Sequence, residues 1–279
     1  ARWARPGFAG SQWYPIFLAY ATGFLEKNGL QAKLTDALVS GMTFQNVIED
    51  VKTFSPELVV IYTSWPSLDN DVKLAEEIKK EIKDSLMVFA GPWCATNQEK
   101  ILNKSKAVDV VIRKEIELPV LGLAQGKNIS DIKGLSWQKN NQVIHNLDEN
   151  FLTPEQLDDM PFVTDVYRRH LNIRNYNQTS LKYPFVDLFT GRGCSWGQCI
   201  FCLWPHTIFK GAPLYRKRNI KNVIAELKNI KKIMPEVKEI FIQDDTLPKG
   251  RAIELSEEIL KNNLKITWSC YAKPLLDYE

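Results

Sequence analysis

The run GRGCSWGQCIFCLWPH, residues 191–206, holds three of the chain's five cysteines, Cys194, Cys199 and Cys202. Thiols this crowded do not pair easily with one another, and an odd total argues against a disulfide framework. A ligand set in a reducing compartment is the better reading. Two metal chemistries fit the spacing. Three thiolates suit an iron–sulfur cluster with one iron open to a small ligand, because a fully protein-bound cluster takes four. Alternatively His206 completes C-x4-C-x2-C-x3-H, a closed tetrahedral Cys3His zinc site. His206 also reads as a plain loop residue, and spacing alone leaves cluster and zinc both open.

The elements around the loop bear on the choice. PFVDLFTG (184–191) reads as a strand running directly into the cysteines, which puts them at the carboxyl mouth of a parallel sheet, where ligands bind. Phe201, beside Cys202, offers an aromatic edge and its backbone to a ligand base. Ile220, Val223, Ile224, Leu227 and Ile230 recur at helical spacing behind a candidate cap, Asn219. VKEIFIQDD (237–245) and KITWSCYAK (265–273) read as further strands, with RAIELSEEILKN as the helix between them. Three strand–helix steps make part of a barrel, whereas a full one has eight and needs about 200 residues or more. The expectation is a fragment, or a domain closed in another way. Asp244 and Asp245 at the end of the second strand read as ligand contacts, a carboxylate pair for a metal, or a helix cap.

Residues 1–126 alternate strand and helix signals, which implies a doubly wound parallel sheet. LQAKLTDAL (30–38) reads as a strand ending at Asp36. ELVVIYTS (57–64), LMVFAGP (86–92) and AVDVVIRK (107–114) read as strands buried on both faces. Helices follow on Phe44, Val47, Ile48 and Val51, and on Val72, Ala75, Ile78 and Ile82, the latter capped by Asp69 or Asp71. The ligand-facing loops would begin at Asp36, Ser64, Gly91 and Lys114. Residues 127–183 read as a hairpin turning at Asn140 and Asn141, then a connector. Arg168, Arg169, His170 and Arg174 within it read as a solvated helix face. The division is therefore 1–126, 127–183 and 184–279.

Composition excludes several classes. With 44% apolar and 25% charged residues over 279 positions, the chain can bury two cores. A net charge of +3 is too weak to suggest a nucleic-acid partner. The apolar run from Tyr14 to Ala21 is shorter than the roughly 20 residues a bilayer span requires. It carries no cleavage site, so the expected location is the cytoplasm.

GRGCSWGQCIFC resembles the cluster loop of radical S-adenosylmethionine enzymes, whose usual pattern is C-x3-C-x-aromatic-C. Cys199, Phe201 and Cys202 fit, while the first gap has four residues rather than three. A wider resemblance, to the cobalamin-binding subgroup, covers nearly the whole chain. YPIFLAYATGFLEKNG is similar to its opening helix. FAGPWCAT is similar to G-G-P-H-A-T, with Ala90 and Trp93 replacing Gly and His. VVIRKEIE is similar to V-V-x-G-E-G-E, with Lys114 and Ile116 replacing both glycines. YRKRNIKNVIAEL and FIQDDT are similar to segments after the loop.

The resemblance implies an α/β fold, with an amino-terminal cobalamin-binding-like parallel sheet followed by the first part of a radical (β/α) barrel. It implies that Cys194, Cys199 and Cys202 hold a [4Fe–4S] cluster. Phe201, Asp244, Asp245 and Thr246 would line the S-adenosylmethionine site. Ser64, Trp65, Gly91, Pro92, Lys114 and Glu115 would face cobalamin. The chain has no D-x-H-x-x-G motif, so no protein histidine is expected on cobalt. The implied partners are a small-molecule substrate and an electron donor, and the implied activity is methyl transfer to an unactivated carbon. Ring closure or rearrangement by the same parts is the alternative. Methylthiotransferases are excluded, because residues 1–126 hold only Cys94 where a second cluster needs three cysteines. A zinc-stabilised module touching nucleic acid through 168–174 is the rival from another class.

Overall fold

The computed structural model describes residues 11–273. Helix α1 (Ile16–Lys27) starts behind Pro15 and buries Ile16, Ala19 and Tyr20. Residues 30–38 join no sheet, contrary to expectation. Leu34 N–H points to His170 Nδ1 at 3.4 Å, and Asp36 takes Val39 N–H and the Tyr176 hydroxyl. The backbone of this segment therefore meets side chains rather than a neighbouring strand. Helix α2 (Phe44–Phe54) opens on a capping box of Thr43 and Asn46, with no residue fully buried.

Strand β1 (Leu58–Tyr62), α3 (Leu68–Glu81), β2 (Leu86–Ala90), α4 (Gln98–Lys104), β3 (Val110–Ile112) and α5 (Glu117–Ala124) follow in alternation. Hairpin β4 (Leu135–Lys139) and β5 (Gln142–His145) completes a sheet in the order β1-β2-β3-β4-β5. The first three strands are parallel, and the hairpin extends the sheet antiparallel from β3. Its turn uses Asn140 and Asn141 at φ 51° and 63°, the geometry that matches strand twist. Strand β1 lies at the sheet edge and is half-buried along its length, so burial on both faces holds for β2 and β3 only. A short turn at Trp65–Ser67 precedes α3. Asp69 and Asp71 therefore fall inside its first turn, on the positive end of the helix dipole, rather than at the cap.

The connector contains α6 (Pro154–Asp159), with a Thr153–Gln156 capping box, and α7 (Val163–His170). Arg169 and His170 are not simply solvated; both pair with Glu26 and lock α7 to α1. Strand β6 (Phe185–Leu188) leads into β7 (Gly191–Gly193), then α8 (Leu203–His206), β8 (Tyr215–Lys217), α9 (Ile220–Ile233), β9 (Glu239–Ile242), α10 (Lys249–Lys261) and β10 (Trp268–Cys270). Strands β6, β9 and β10 form a parallel sheet in the order β10-β9-β6, and β7 and β8 form a separate antiparallel ribbon. Asn219 caps α9 through Lys221 N–H, and Val223, Ile224, Leu227 and Ile230 are buried.

Helix α1 and the residues just before it pack on both halves. Tyr14, Ile16, Ala19 and Tyr20 join the core of the second sheet, while Ala21 joins that of the first. Tyr14 stacks between Tyr167 and Tyr176 at ring-centroid distances of 4.3 and 3.9 Å. Among the described residues no helix is long and apolar enough to cross a membrane.

Gly91 closes β2 at φ 124°, and a Cβ there would lie 2.3 Å from the Thr63 carbonyl oxygen. Both the backbone region and the contact require glycine. Gly91→Ala is expected to cost about 2 kcal/mol or more, read as a lowered denaturant midpoint with an unchanged slope.

Candidate functional site

The cysteines stand on a loop rooted in the β7–β8 ribbon. Arg192 faces Arg216 across it, and Gly193 faces Tyr215. Gly193 has φ 93°, and a Cβ there would lie 2.4 Å from the Leu214 carbonyl oxygen, so the two ends of the loop close tightly. Cys194, Cys199 and Cys202 are free and partly exposed. Around them Ile200, Phe201, Trp196, Leu203 and Leu214 are exposed, with Phe201 at 87%. His206 Nε2 lies 3.4 Å from the Cys199 carbonyl oxygen. Among the described residues no three or more His, Cys, Asp or Glu gather as a single-ion site, so the Cys3His arrangement is not assembled. A [4Fe–4S] cluster also gathers its thiolates, on three irons of one cubane rather than on a single ion. Three accessible soft donors on one loop fit it.

Two buried carboxylate systems hold the ribbon. From β9, Asp244 is fully buried and both its oxygens are engaged. Oδ1 accepts from Thr190 N–H at 2.7 Å and Gly191 N–H at 3.2 Å, and Oδ2 from the Thr190 and Tyr215 hydroxyls at 2.6 and 2.7 Å. Burial raises its carboxyl pKa more than these bonds lower it. Burial and the Asp244 charge together push the Tyr215 hydroxyl upward. Asp244 thus ties the β9 end to both strands of the ribbon, and has no oxygen to spare for a ligand. Asp245 and Thr246, half-buried beside it, line the strand end instead.

From the first sheet, Glu115 in the loop after β3 reaches both strands of the ribbon. Its Oε1 accepts from Arg192 Nη1 and Arg216 Nη2, each at 3.0 Å. Its Oε2 accepts from Arg216 Nη1 and Leu152 N–H, each at 2.9 Å. Arg192 Nη2 donates to Glu117 Oε1 at 2.6 Å. Burial would raise the Glu115 pKa, but the charge of Arg192 and the bonds from Arg216 and Leu152 hold it below its ordinary value. The carboxylates in turn push the Arg192 pKa upward against the effect of its burial.

The loops after β1, β2 and β3 share one end of the first sheet, as expected, but they do not present the same surface. Trp65 is 66% exposed, and its ring lies 4.8 Å from that of Trp93, whose indole N–H is buried without a partner. The two ring planes are tilted by 51°, and Ser64, Gly91 and Pro92 lie beside them in the same two loops. Lys114 and Glu115 have partners within the protein. Lys114 Nζ bonds Asp148 at 2.9 Å and lies 5.0 Å from the Phe151 ring centre, while Glu115 is committed to the arginines.

No protein-family model matches the chain. An uncharacterized methyltransferase of Pyrococcus horikoshii is 28% identical over 93% of this chain and 55% of its own length. The anaerobic magnesium-protoporphyrin IX monomethyl ester cyclase of Rubrivivax gelatinosus is 22% identical over 92% of this chain and 46% of its own length. Among solved structures, the cobalamin-dependent S-adenosylmethionine radical enzyme OxsB, with aqua-cobalamin and S-adenosylmethionine bound, superposes with a TM-score of 0.72. That match is at 17% identity and covers 92% of this chain and 36% of OxsB. The radical S-adenosylmethionine methyltransferase TsrM of Kitasatospora setae, with cobalamin and a [4Fe–4S] cluster bound, matches at a TM-score of 0.68 and 15% identity. It covers 90% of this chain and 49% of TsrM.

The chain has the fold of the cobalamin-dependent radical S-adenosylmethionine enzymes. The resemblance read from GRGCSWGQCIFC and the segments around it is borne out at the level of fold. The chain spans about half the length of the curated relatives it matches. Within this cobalamin–radical fold, sequence reasoning missed Arg192, Arg216, Glu117, Thr190 and Tyr215. One signal was present, an arginine wedged between two glycines immediately before Cys194. Its partners lie about 75 residues upstream and 24 downstream, beyond the reach of local pattern.

The lowered Glu115 pKa carries a pH consequence. Its contribution to stability is present above the ordinary glutamate value of 4.5 and is lost as pH falls through the lowered native value. The chain is therefore expected to lose stability on acidification below that range. Glu115→Gln strands a buried positive charge, and is expected to cost about 3–5 kcal/mol near neutral pH and to flatten the acid limb. Denaturant midpoints between about pH 7 and pH 3 measure both effects.

Proposed function

We propose that this chain is a radical S-adenosylmethionine enzyme with a cobalamin-binding domain, acting as a methyltransferase on an unactivated carbon of a small-molecule substrate. The observation that supports it best is the placement of three free, partly exposed thiols on a loop of the β7–β8 ribbon, which follows β6 and is bonded to Asp244 just beyond β9. Cys194, Cys199 and Cys202 would hold a [4Fe–4S] cluster. Bound there, such a cluster supplies the electron that breaks the sulfonium bond of S-adenosylmethionine, and so begins radical chemistry.

The chain's own residues bind, orient and shield. Phe201, exposed beside Cys202, offers an aromatic edge to an adenine ring, and the apolar residues around it would exclude water once covered. Asp245 and Thr246 would contact the cofactor, while Asp244 positions the loop base. Ser64, Trp65, Gly91 and Pro92 would seat cobalamin on their aromatic end, without Lys114 or Glu115. The division read from sequence, 1–126, 127–183 and 184–279, is kept as the functional division. An electron donor is required, and free thiols suit a reducing cytoplasm. Similarity to a cyclase supports ring closure as a second reading.

Metal analysis after anaerobic reconstitution tests this. About four irons per chain are expected in the native chain and in His206→Ala, with major loss in Cys194→Ala, Cys199→Ala and Cys202→Ala. One zinc per chain that disappears in His206→Ala would contradict the proposal.

A further inference from the structure

We infer that Glu115 and Glu117 are positioning residues for the cysteine loop: through Arg192 and Arg216 they fix the ribbon that carries Cys194 to the ligand end of the first sheet. This rests on the reading that the three cysteines hold a cluster. It adds a coupling between the two halves of the molecule that the reading does not contain.

The geometry carries it. Arg192 and Arg216 are a register pair on opposite strands of the ribbon, and one carboxylate, Glu115, bonds both. Glu117 takes the remaining Nη of Arg192. All four side chains are at most 5% exposed, so no solvent intervenes to absorb a displacement. The Arg192 guanidinium also lies 5.2 Å from the Tyr20 ring centre and 5.8 Å from those of Phe17 and Phe189, which adds α1 and the end of β6 to the same clamp. Cys194 is two residues from Arg192. Lys114, at the sheet's ligand end, is one residue from Glu115. A shift in that loop therefore reaches the first cysteine through two directional, charge-assisted contacts.

The network is not what stability alone would select. Glu117 Oε2 and Arg216 Nε are buried without partners, a cost that a fully satisfied or apolar packing would avoid. The buried pair Arg218–Glu226 holds α9 without reaching the first sheet. Two ion systems of similar burial thus have different reach, and only the Glu115 system joins the first sheet to the ribbon.

Three full-length variants test the inference: Glu115→Gln, Glu115→Gln/Arg216→Met and Ile101→Ala. The double variant removes one charge of each sign and so keeps the interior neutral. The third destabilises the first sheet through its core without touching the ribbon. In the metal-free chain, alkylation of Cys194 is expected to accelerate by about threefold or more in the first two variants, with Cys270 unchanged and Ile101→Ala like the native chain. In the reconstituted chain, the same two variants are expected to shift the midpoint potential and the line shape of the reduced cluster, and Ile101→Ala is not. Alkylation rates that track thermal stability alone, alike in all three variants, would overturn the inference. A native chain that takes up no cluster would remove the cluster reading, while the Cys194 rates would still decide whether the glutamates hold the ribbon.

Discussion

Two arginines on facing strands of a short ribbon cannot be buried unless carboxylates come to them, and the rest of the structure follows from that requirement. An unpaired buried charge is prohibitively costly, so the loop after β3 must meet the ribbon before β7 and β8 can leave water. Glu115 and Glu117 supply the charge, and their spacing of two residues lets one span both arginines while the other takes the outer face of Arg192. The meeting sets the first sheet against the second. Helix α1 then fills the angle between them, with its aromatic rings against the Arg192 guanidinium and its tyrosine in the second core.

The ribbon is held from the other side as well. Asp244 at the end of β9 bonds Thr190 and Gly191, where the ribbon leaves the second sheet, and Tyr215, where it returns. A base clamped at both ends can carry a tip that is only partly packed, and the tip is where the cysteines and their exposed apolar neighbours lie. An apolar patch of that kind marks a surface meant to be covered. In the proposed enzyme the covering groups are the cofactors and substrate, and the rigid base determines where the cysteines present their sulfurs.

Much of the architecture was legible from local pattern. Apolar runs located β2 and β3, PFVDLFTG and VKEIFIQDD contained β6 and β9, the double asparagine located the hairpin, and Asn219 located the start of α9. Pattern failed where the answer depended on neighbours. LQAKLT alternates like a strand, yet Leu34, Asp36 and their surroundings found partners in His170 and Tyr176, over 130 residues away. ELVVIY is apolar enough for a central strand, but it lies at the sheet edge. At the site the cysteines were evident from their spacing. Asp244, Lys114 and Glu115 are the ligand contacts that the family resemblance implies. The structure gives all three partners within the protein, and whether a charge at a strand end faces a ligand or a distant arginine is a tertiary fact.

The central claim is that Cys194, Cys199 and Cys202 hold a cluster with one open iron. Electron paramagnetic resonance of the anaerobically reconstituted, reduced chain, with and without S-adenosylmethionine, tests it most directly. The account predicts a [4Fe–4S]⁺ signal whose g values change when S-adenosylmethionine is added. A chain that shows no such signal and holds one zinc instead, or a signal indifferent to S-adenosylmethionine, would contradict it.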